Sequence, residues 1–155
     1  QKRQAFVDIY RRHAEKIMDA QTTLLPGAQT LITWLNEQQI SCAIVSTKIR
    51  ARILGTLRRY DMLNQFALIV GSEDVSAPKP DPQGLALAAD RLQIPKEKIL
   101  YVGDSLIDAH TAQNFGVDFA AMLSGPTPRE AFEKLPYTYL CRDLGALLKQ
   151  LKEAE

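Results

Sequence analysis

Two hydroxyls, one lysine and two carboxylates each follow a short apolar run, and together they could bind a phosphoryl group and a metal ion. Ser46 and Thr47 come directly after the first run, and Lys79 stands between two prolines after the second. Asp104 and Asp108 come after the third run. Hydroxyl and ammonium hydrogens can donate to phosphate oxygens, whereas carboxylate oxygens suit Mg²⁺, which often takes only one or two of them from a protein. These residue types therefore point to phosphate chemistry.

Each of the three groups also has an interpretation without chemistry. Ser46 or Thr47 could be an ordinary helix N-cap, and most lysines are solvated surface charges. Ser105 or Asp104 could cap the helix that follows, with Asp108 stabilised by the dipole at that helix start. The four-residue spacing of the two aspartates nevertheless places both carboxylates on one side of the helix start, where they could serve one ligand.

Short apolar runs alternate with amphipathic stretches along the chain. Each run is four or five residues long, as expected for a buried strand. This alternation predicts an α/β fold with a mostly parallel sheet and helices on both faces. Ligands of such sheets bind beyond the carboxyl ends of the strands, so Ser46, Lys79 and Asp104 are predicted to converge at one edge. The predicted strands are 42–45, 67–70, 99–102, 119–123 and a weak one at 137–140, and the predicted helices are 1–20, 28–38, 49–60, 82–92, 107–115, 129–135 and 144–152.

Composition and charge argue against several classes of protein. A length of 155 residues fits one domain. The 19 basic and 18 acidic residues give a net charge of +1, so there is no electrostatic reason to expect a nucleic-acid or membrane-surface partner. No apolar run reaches the ~18 residues of a membrane helix. Cys42 and Cys141 do not make a disulfide framework, which favours two buried thiols in a reducing, cytoplasmic compartment.

Four stretches of the sequence resemble one protein family. They are LLPGAQTLITWL, CAIVSTKIR, APKPDP and YVGDSLIDAHTAQNFGV, and the resemblance covers roughly Leu24 to Leu123. In combination they are similar to the haloacid dehalogenase (HAD) superfamily, in the branch that contains phosphoglycolate phosphatase. The IVSTK form most resembles the pyrophosphatase-like members of that branch. The resemblance implies a Rossmann-like core over residues 23–155 and a remnant of an α-helical cap, its last helix, over residues 1–22.

For the intact protein, the resemblance implies Mg²⁺-dependent hydrolysis of a small phosphorylated metabolite, a phosphomonoester, through an aspartyl-phosphate. Ser46 and Thr47 would bind phosphoryl oxygens, and Lys79 would bind the phosphoryl group, hold the nucleophile and neutralise developing charge. By the same resemblance, Ser46 and Lys79 are the catalytic residues of this chain. Asp104 would bind Mg²⁺ directly, and Asp108 would support the ion directly or through water. Neither nucleic acid nor a membrane is an expected partner, and the oligomeric state is left open.

One motif of the family is missing from the sequence. The family's Asp-x-Asp motif supplies the nucleophile and the general acid/base from the central strand, and residues 1–155 contain no Asp-x-Asp. The family places that motif ahead of the cap, so we expect an incomplete chain that is inactive on its own. The strands that carry Ser46 and Asp104 would then lack their shared neighbour.

Two other functions stay open at this stage. The missing motif supports a catalytically inactive HAD-like domain kept for binding or regulation. An Asp-x-Asp upstream of Gln1 would remove that alternative. The other is a metal-independent dehalogenase of the same superfamily. The pair of Asp104 and Asp108 argues against it, and dependence of the activity on Mg²⁺ would separate a dehalogenase from a phosphatase.

Overall fold

The computed structural model describes residues 22–154, in which strands and helices alternate. The strands are β1 (Ala43–Val45), β2 (Leu68–Val70), β3 (Leu100–Gly103), β4 (Asp118–Met122) and β5 (Tyr139–Cys141). The helices are α1 (Ala28–Glu37), α2 (Arg50–Arg59), α3 (Gln83–Leu92), α4 (Leu106–Phe115), α5 (Arg129–Phe132) and α6 (Leu144–Glu153). Short 3₁₀ turns are formed by Leu63–Gln65, Ser72–Asp74 and Lys96–Lys98.

The elements agree closely with those predicted from the apolar pattern. All five predicted strands are present, and their ends are shifted by at most two residues. The helix predicted over 129–135 is shorter. It ends at Phe132, because the Leu135 N–H donates to the Phe132 carbonyl in a tighter turn. The helix predicted over 1–20 lies outside the described residues, so the assignment of residues 1–22 to a cap stays a prediction.

Every strand pair within the described residues is parallel. β1 pairs with β2, and β4 lies between β3 and β5. A helix lies between each pair of successive strands in the chain, as parallel neighbours require. The predicted α/β fold with a parallel sheet is therefore confirmed. Within each sheet, the segments that follow neighbouring strands leave from the same edge.

Helices cover both faces of the first sheet, β1–β2. On one face, Ile53 of α2 is buried in a cluster that includes Ile44 and Ile69 of the two strands. On the other face, Gly84 of α3 lies so close to β1 that an added Cβ would be 2.8 Å from Val45 Cγ1. Glycine at this position therefore lets α3 approach the strand that ends at the candidate site.

The second sheet, β3–β4–β5, is enclosed between two buried clusters. α1 and α6 cover one face, and α4 and α5 cover the other. Successive residues of β4 contribute alternately to the two clusters, as the alternation of side chains along a strand requires. The first cluster contains Leu31, Ala120, Met122, Cys141 and Leu147, and the second contains Ala109, Ala112, Phe119, Ala121 and Phe132.

The two sheets do not pair with each other in the described part of the chain. β1 and β3 each have one strand neighbour there, so each has one unpaired edge. Val102 of β3, which its apolar run predicts to be buried, is 40% exposed. That prediction of burial was wrong, because no described strand lies along β3 on its unpaired side. The break falls where the resemblance predicts that the strands before Ser46 and Asp104 lack a shared neighbour.

Both cysteines are buried in the core. Cys42 and Cys141 are free thiols, and burial raises the pKa of each. The prediction of two small buried side chains is confirmed. None of the helices within residues 22–154 is long and apolar enough to cross a membrane.

Candidate active site

Ser46 lies in the turn that follows β1. Its backbone N–H donates to the Val70 carbonyl (3.0 Å), and its Oγ accepts from the Lys48 N–H (3.1 Å). Helix α2 begins only at Arg50, and its N-cap residue Ile49 has no capping side-chain hydrogen bond. The interpretation of the hydroxyl pair as an ordinary N-cap is therefore wrong, since the serine hydroxyl lies before the helix and not at its cap.

The N-terminus of α2 is capped by a carboxylate from another segment. The Arg50 N–H donates to both carboxylate oxygens of Glu73, at 2.9 and 3.1 Å. The Arg50 guanidinium also pairs with Asp74, which in addition accepts from the Gly71 N–H at 2.7 Å. The hydrogen bond from Gly71, followed by the one from Arg50, holds the pKa of Asp74 below its usual range. The negative charge that a helix start attracts is thus already supplied, and a phosphate would bind beside this helix start rather than on it.

Ser46, Thr47 and Lys79 line one cavity of about 210 Å³. We call it the Ser46–Lys79 cavity. Its walls come from the ends of β1 and β2 and from the loop between β2 and α3, and they include the hydroxyls of Ser72 and Ser76. The structure therefore brings together the three residues that were predicted to bind phosphate from two different strand ends.

The loop that carries Lys79 is fixed by two side chains that the sequence analysis missed. Gln83 Oε1 accepts from the Ser76 N–H (2.8 Å) and from the Ala77 N–H (3.0 Å). Asn114 Nδ2 of α4 donates to the Pro80 carbonyl (2.9 Å). The loop is thus held from both neighbouring helices. No motif marks either amide, because each one acts through backbone groups that become its neighbours only in the fold.

Lys79 forms a buried ion pair with Asp108. Its Nζ lies 2.5 Å from Asp108 Oδ1, and the two side chains are 17% and 9% exposed. Lys79 Nζ also donates to the Tyr101 hydroxyl (3.1 Å), which lies 3.2 Å from the same carboxylate oxygen. The other oxygen of Asp108 accepts from Ser105 Oγ (2.7 Å). The lysine is therefore not a solvated surface charge, and the ammonium is held at a defined place.

Both members of this pair stay charged at neutral pH. Burial alone would lower the pKa of Lys79, but Tyr101 and Asp108 outweigh it and raise that pKa above its usual value. Burial would likewise raise the pKa of Asp108, but the hydrogen bonds from Lys79 and Ser105 outweigh it and lower that pKa. Burial raises the pKa of the Tyr101 phenol, so this group keeps its proton. A cation fixed beside the cavity suits the binding of an anion.

Asp104 follows β3 and differs from Asp108 in its surroundings. Ser105, and not Asp104, is the N-cap of α4, because its Oγ accepts from the Asp108 N–H (3.2 Å). The Asp104 carboxylate has no hydrogen-bond partner among residues 22–154. Gly125 lies against it, so close that an added Cβ would be 2.4 Å from Asp104 Oδ2. Asp104 is thus a half-buried carboxylate that is free to bind a ligand.

The donor set of the described residues fits Mg²⁺ through one carboxylate. Asp104 is free, whereas both oxygens of Asp108 are already occupied by Lys79, Tyr101 and Ser105. Within residues 22–154 no group of three or more His, Cys, Asp or Glu side chains could hold a metal ion. Mg²⁺ is commonly bound by one or two carboxylates, with phosphate and water as its other ligands. Metal binding by Asp104 and Asp108 stays a prediction.

Gly103 allows Asp108 to pack directly over the end of β3. A Cβ added there would lie 2.4 Å from Asp108 Cβ and 2.8 Å from Asp108 Oδ2. We expect Gly103→Ala to displace Asp108 from Lys79 and to lower the free energy of unfolding by about 2 kcal/mol, as overpacking does. Urea unfolding of the purified protein measures this.

Gly55→Ala is the matched control for this prediction. Nothing lies within 4 Å of a Cβ added at Gly55, which is in the middle of α2. Alanine there should raise stability by about 0.5–1 kcal/mol, because it is a better helix former. Equal urea midpoints for the two variants would contradict the close packing of Asp108 over Gly103.

The fold and the residues at its strand ends define a Rossmann-like α/β protein with a candidate phosphate site. The chain belongs to the haloacid dehalogenase-like hydrolase family, whose model matches residues 1–122. The resemblance found in the sequence motifs is thereby confirmed.

Two curated relatives illustrate the branch of the family. Phosphoglycolate phosphatase of Cereibacter sphaeroides is 35% identical over 118 residues, which are 76% of this chain and 53% of that protein. Pyrophosphatase PpaX of Halalkalibacterium halodurans is 30% identical over 142 residues, which are 92% of this chain and 66% of that protein. The chain thus spans about half to two thirds of the length of these relatives.

Solved structures show the same fold. A Bacteroides fragilis protein described as a haloacid dehalogenase-like hydrolase superposes with a TM-score of 0.87 at 42% identity, over 93% of this chain and 69% of that one. A hydrolase from Pseudomonas syringae gives a TM-score of 0.81 at 26% identity, over 89% of this chain and 63% of that one. These matches confirm the Rossmann-like architecture.

Proposed function

We propose that this chain is the larger part of a Mg²⁺-dependent phosphatase that hydrolyses a small phosphomonoester, as phosphoglycolate phosphatase does. The observation that carries the proposal is the position of Lys79. Its ammonium is fixed by Asp108 and Tyr101, and Lys79 lines the same cavity as Ser46 and Thr47. The names of the curated relatives support the same class of reaction.

The residues of the cavity would bind the phosphoryl group and stabilise its charge. Ser46 and Thr47 would donate hydrogen bonds to phosphoryl oxygens, and Lys79 would neutralise the charge that develops on them. Phosphoryl transfer depends mainly on such positioning and electrostatic stabilisation. Lys79 would also hold the carboxylate nucleophile in line with phosphorus.

The nucleophile and the general acid would come from outside residues 1–155. We place them in an Asp-x-Asp segment on a strand that lies between β1 and β3, next to Ser46 and Asp104. The first aspartate oxygen would attack phosphorus and form an aspartyl-phosphate, while the bond to the leaving oxygen breaks and the second aspartate protonates that oxygen. The second aspartate would then take a proton from water, which attacks phosphorus and releases phosphate and the free aspartate.

Asp104 would be the carboxylate of this chain that binds Mg²⁺. When bound, the ion would supply positive charge next to the phosphoryl oxygens. The contacts of Asp108 suit a supporting role, in which it holds Lys79 and reaches the ion through water. Because Oδ1 of Asp108 already accepts from Lys79 and Tyr101, direct coordination would use Oδ2, which accepts from Ser105.

Hydrolysis of an aryl phosphate tests the proposal. We expect the protein that contains this chain together with the Asp-x-Asp segment to release p-nitrophenol from p-nitrophenyl phosphate with Mg²⁺ and to lose this activity in EDTA. The chain of residues 1–155 alone is expected to be inactive, because it has no nucleophile. Metal-independent release of halide from a 2-haloacid would instead identify a dehalogenase.

A catalytically inactive binding or regulatory domain is the second candidate, favoured by the absence of Asp-x-Asp from residues 1–155. If the coding sequence upstream also lacks the motif, the inactive domain becomes the favoured function. In either case we propose a cytoplasmic protein whose partner is a small phosphorylated metabolite, and not nucleic acid or a membrane. The balanced charge of the chain and its two free, buried thiols support this proposal.

A further inference from the structure

The sequence motifs assign no chemical role to Tyr101, but its hydroxyl contacts both members of the buried ion pair. It lies on β3, three positions before Asp104, within a run that the sequence pattern explains as a strand. Its ring packs against Phe119 of β4, with centroids 6.2 Å apart, and belongs to the cluster under α4. The ring is therefore held by the core, whereas the hydroxyl at its tip faces the pair of Lys79 and Asp108.

The hydroxyl closes a triangle of hydrogen bonds. It accepts from Lys79 Nζ (3.1 Å) and donates to Asp108 Oδ1 (3.2 Å), the same oxygen that pairs with the lysine (2.5 Å). An ammonium group has three N–H donors. Two N–H donors of Lys79 are thus directed at Asp108 and Tyr101. The direction of the third N–H then follows from the tetrahedral shape of the ammonium group.

An ion pair alone would leave this direction undefined. Lysine is a compact charge on a flexible stem, and one contact lets the ammonium rotate about the carboxylate oxygen. A second, rigid acceptor removes that freedom, because the Tyr101 ring is packed in the core. Lys79 lines the Ser46–Lys79 cavity, and its remaining N–H is the one that neither Asp108 nor Tyr101 uses.

We propose that Tyr101 is a positioning residue, whose hydroxyl orients the Lys79 ammonium toward the phosphoryl group in the cavity. The catalytic consequence rests on the proposed phosphatase function, whereas the orientation of the lysine does not. Tyr101 itself touches neither the substrate nor the reacting atoms in this scheme. Its effect should therefore be transmitted entirely through Lys79.

A double-mutant cycle with Tyr101→Phe and Lys79→Ala tests the proposal in the active protein. Tyr101→Phe keeps the ring and removes the hydroxyl, so we expect kcat for p-nitrophenyl phosphate to fall about tenfold, the effect of one hydrogen bond to a charged group. KM should change less than about twofold, because the misoriented lysine still attracts the anion. In the Lys79→Ala background, Tyr101→Phe should cause no further loss.

Tyr139→Phe on β5 is the matched control. This tyrosine packs in the cluster around Leu147, so the variant should keep the parental kcat.

A readout without turnover separates this proposal from the proposed function. The ¹⁵N-ammonium signal of Lys79, assigned by its loss in Lys79→Ala, should show slow hydrogen exchange in the parent protein and lose it in Tyr101→Phe. Unchanged kcat, an equal loss in both lysine backgrounds, or slow exchange retained in Tyr101→Phe would overturn the positioning role. Absence of any phosphatase activity together with loss of slow exchange would refute the proposed function and leave the orientation of Lys79 by Tyr101 established.

Discussion

Replacing Lys79 by alanine is expected to lower kcat for p-nitrophenyl phosphate at least about 100-fold, on the scale of losing a principal charge stabiliser in an active site. The reason is the position of Lys79, which is the basic residue among those that line the cavity with Ser46 and Thr47. Steady-state kinetics of the Mg²⁺-loaded protein, with and without the substitution, measures the effect.

The same substitution is expected to destabilise the fold, and the two effects must be separated. Without Lys79, the carboxylate of Asp108 stays buried and unpaired, which costs about 3–5 kcal/mol. Kinetics should therefore be measured at a temperature well below the thermal unfolding midpoint of the variant. Lys149→Ala is the matched control, because that lysine is 76% exposed and pairs only at the surface with Glu153. Turnover within a few-fold of the parent for folded Lys79→Ala would refute the assignment of Lys79.

Asp104→Asn should lower turnover by a similar factor, at least about 100-fold, for a different reason. The substitution removes the free carboxylate at the end of β3, where we place the Mg²⁺ ligand. It should leave stability nearly unchanged, because this carboxylate has no hydrogen-bond partner among residues 22–154. A Mg²⁺ titration of activity is the measurement, and the residual activity should require more Mg²⁺.

Asp118→Asn is the control for the loss of a carboxylate charge. Asp118 is exposed and begins β4, so it lies opposite Leu100 at the start of β3 and away from Asp104 at its end. The control should behave like the parent protein in both rate and Mg²⁺ response. An Asp104→Asn variant with the parental Mg²⁺ titration curve would show that the ion is bound elsewhere.

The sequence predicted the edge at which the site lies better than it predicted the contacts inside it. Apolar runs of four or five residues and their parallel arrangement follow from local periodicity, so the positions of Ser46, Lys79 and Asp104 after strand ends could be inferred. The pairing of Asp108 with Lys79, 29 positions away, could not be inferred, because the spacing of the two aspartates suggested a shared ligand instead.

Two further features have no signal in a single sequence. The hydroxyl of Tyr101 is indistinguishable, by pattern, from that of any strand tyrosine, and only the fold places it beside Lys79. The Glu73 carboxylate from the segment after β2 caps the start of α2, and no motif marks this contact. Both depend on contacts between segments more than 20 residues apart, which local periodicity does not encode.

Because β1 and β3 do not pair in residues 22–154, the ion pair of Lys79 and Asp108 helps to hold the two sheets together. Lys79 belongs to the loop that leaves the first sheet, and Asp108 belongs to the helix that leaves the second. Their bond therefore joins two halves that, within residues 22–154, share no ladder of strand hydrogen bonds. Besides this bond, α1 contacts the turn at Leu63–Gln65, α3 contacts α4, and Asn114 Nδ2 donates to the Pro80 carbonyl. Within residues 22–154, the position of the Ser46–Lys79 cavity relative to Asp104 is thus set by side chains and helix packing. Loss of the bond would weaken the connection between the two halves of residues 22–154.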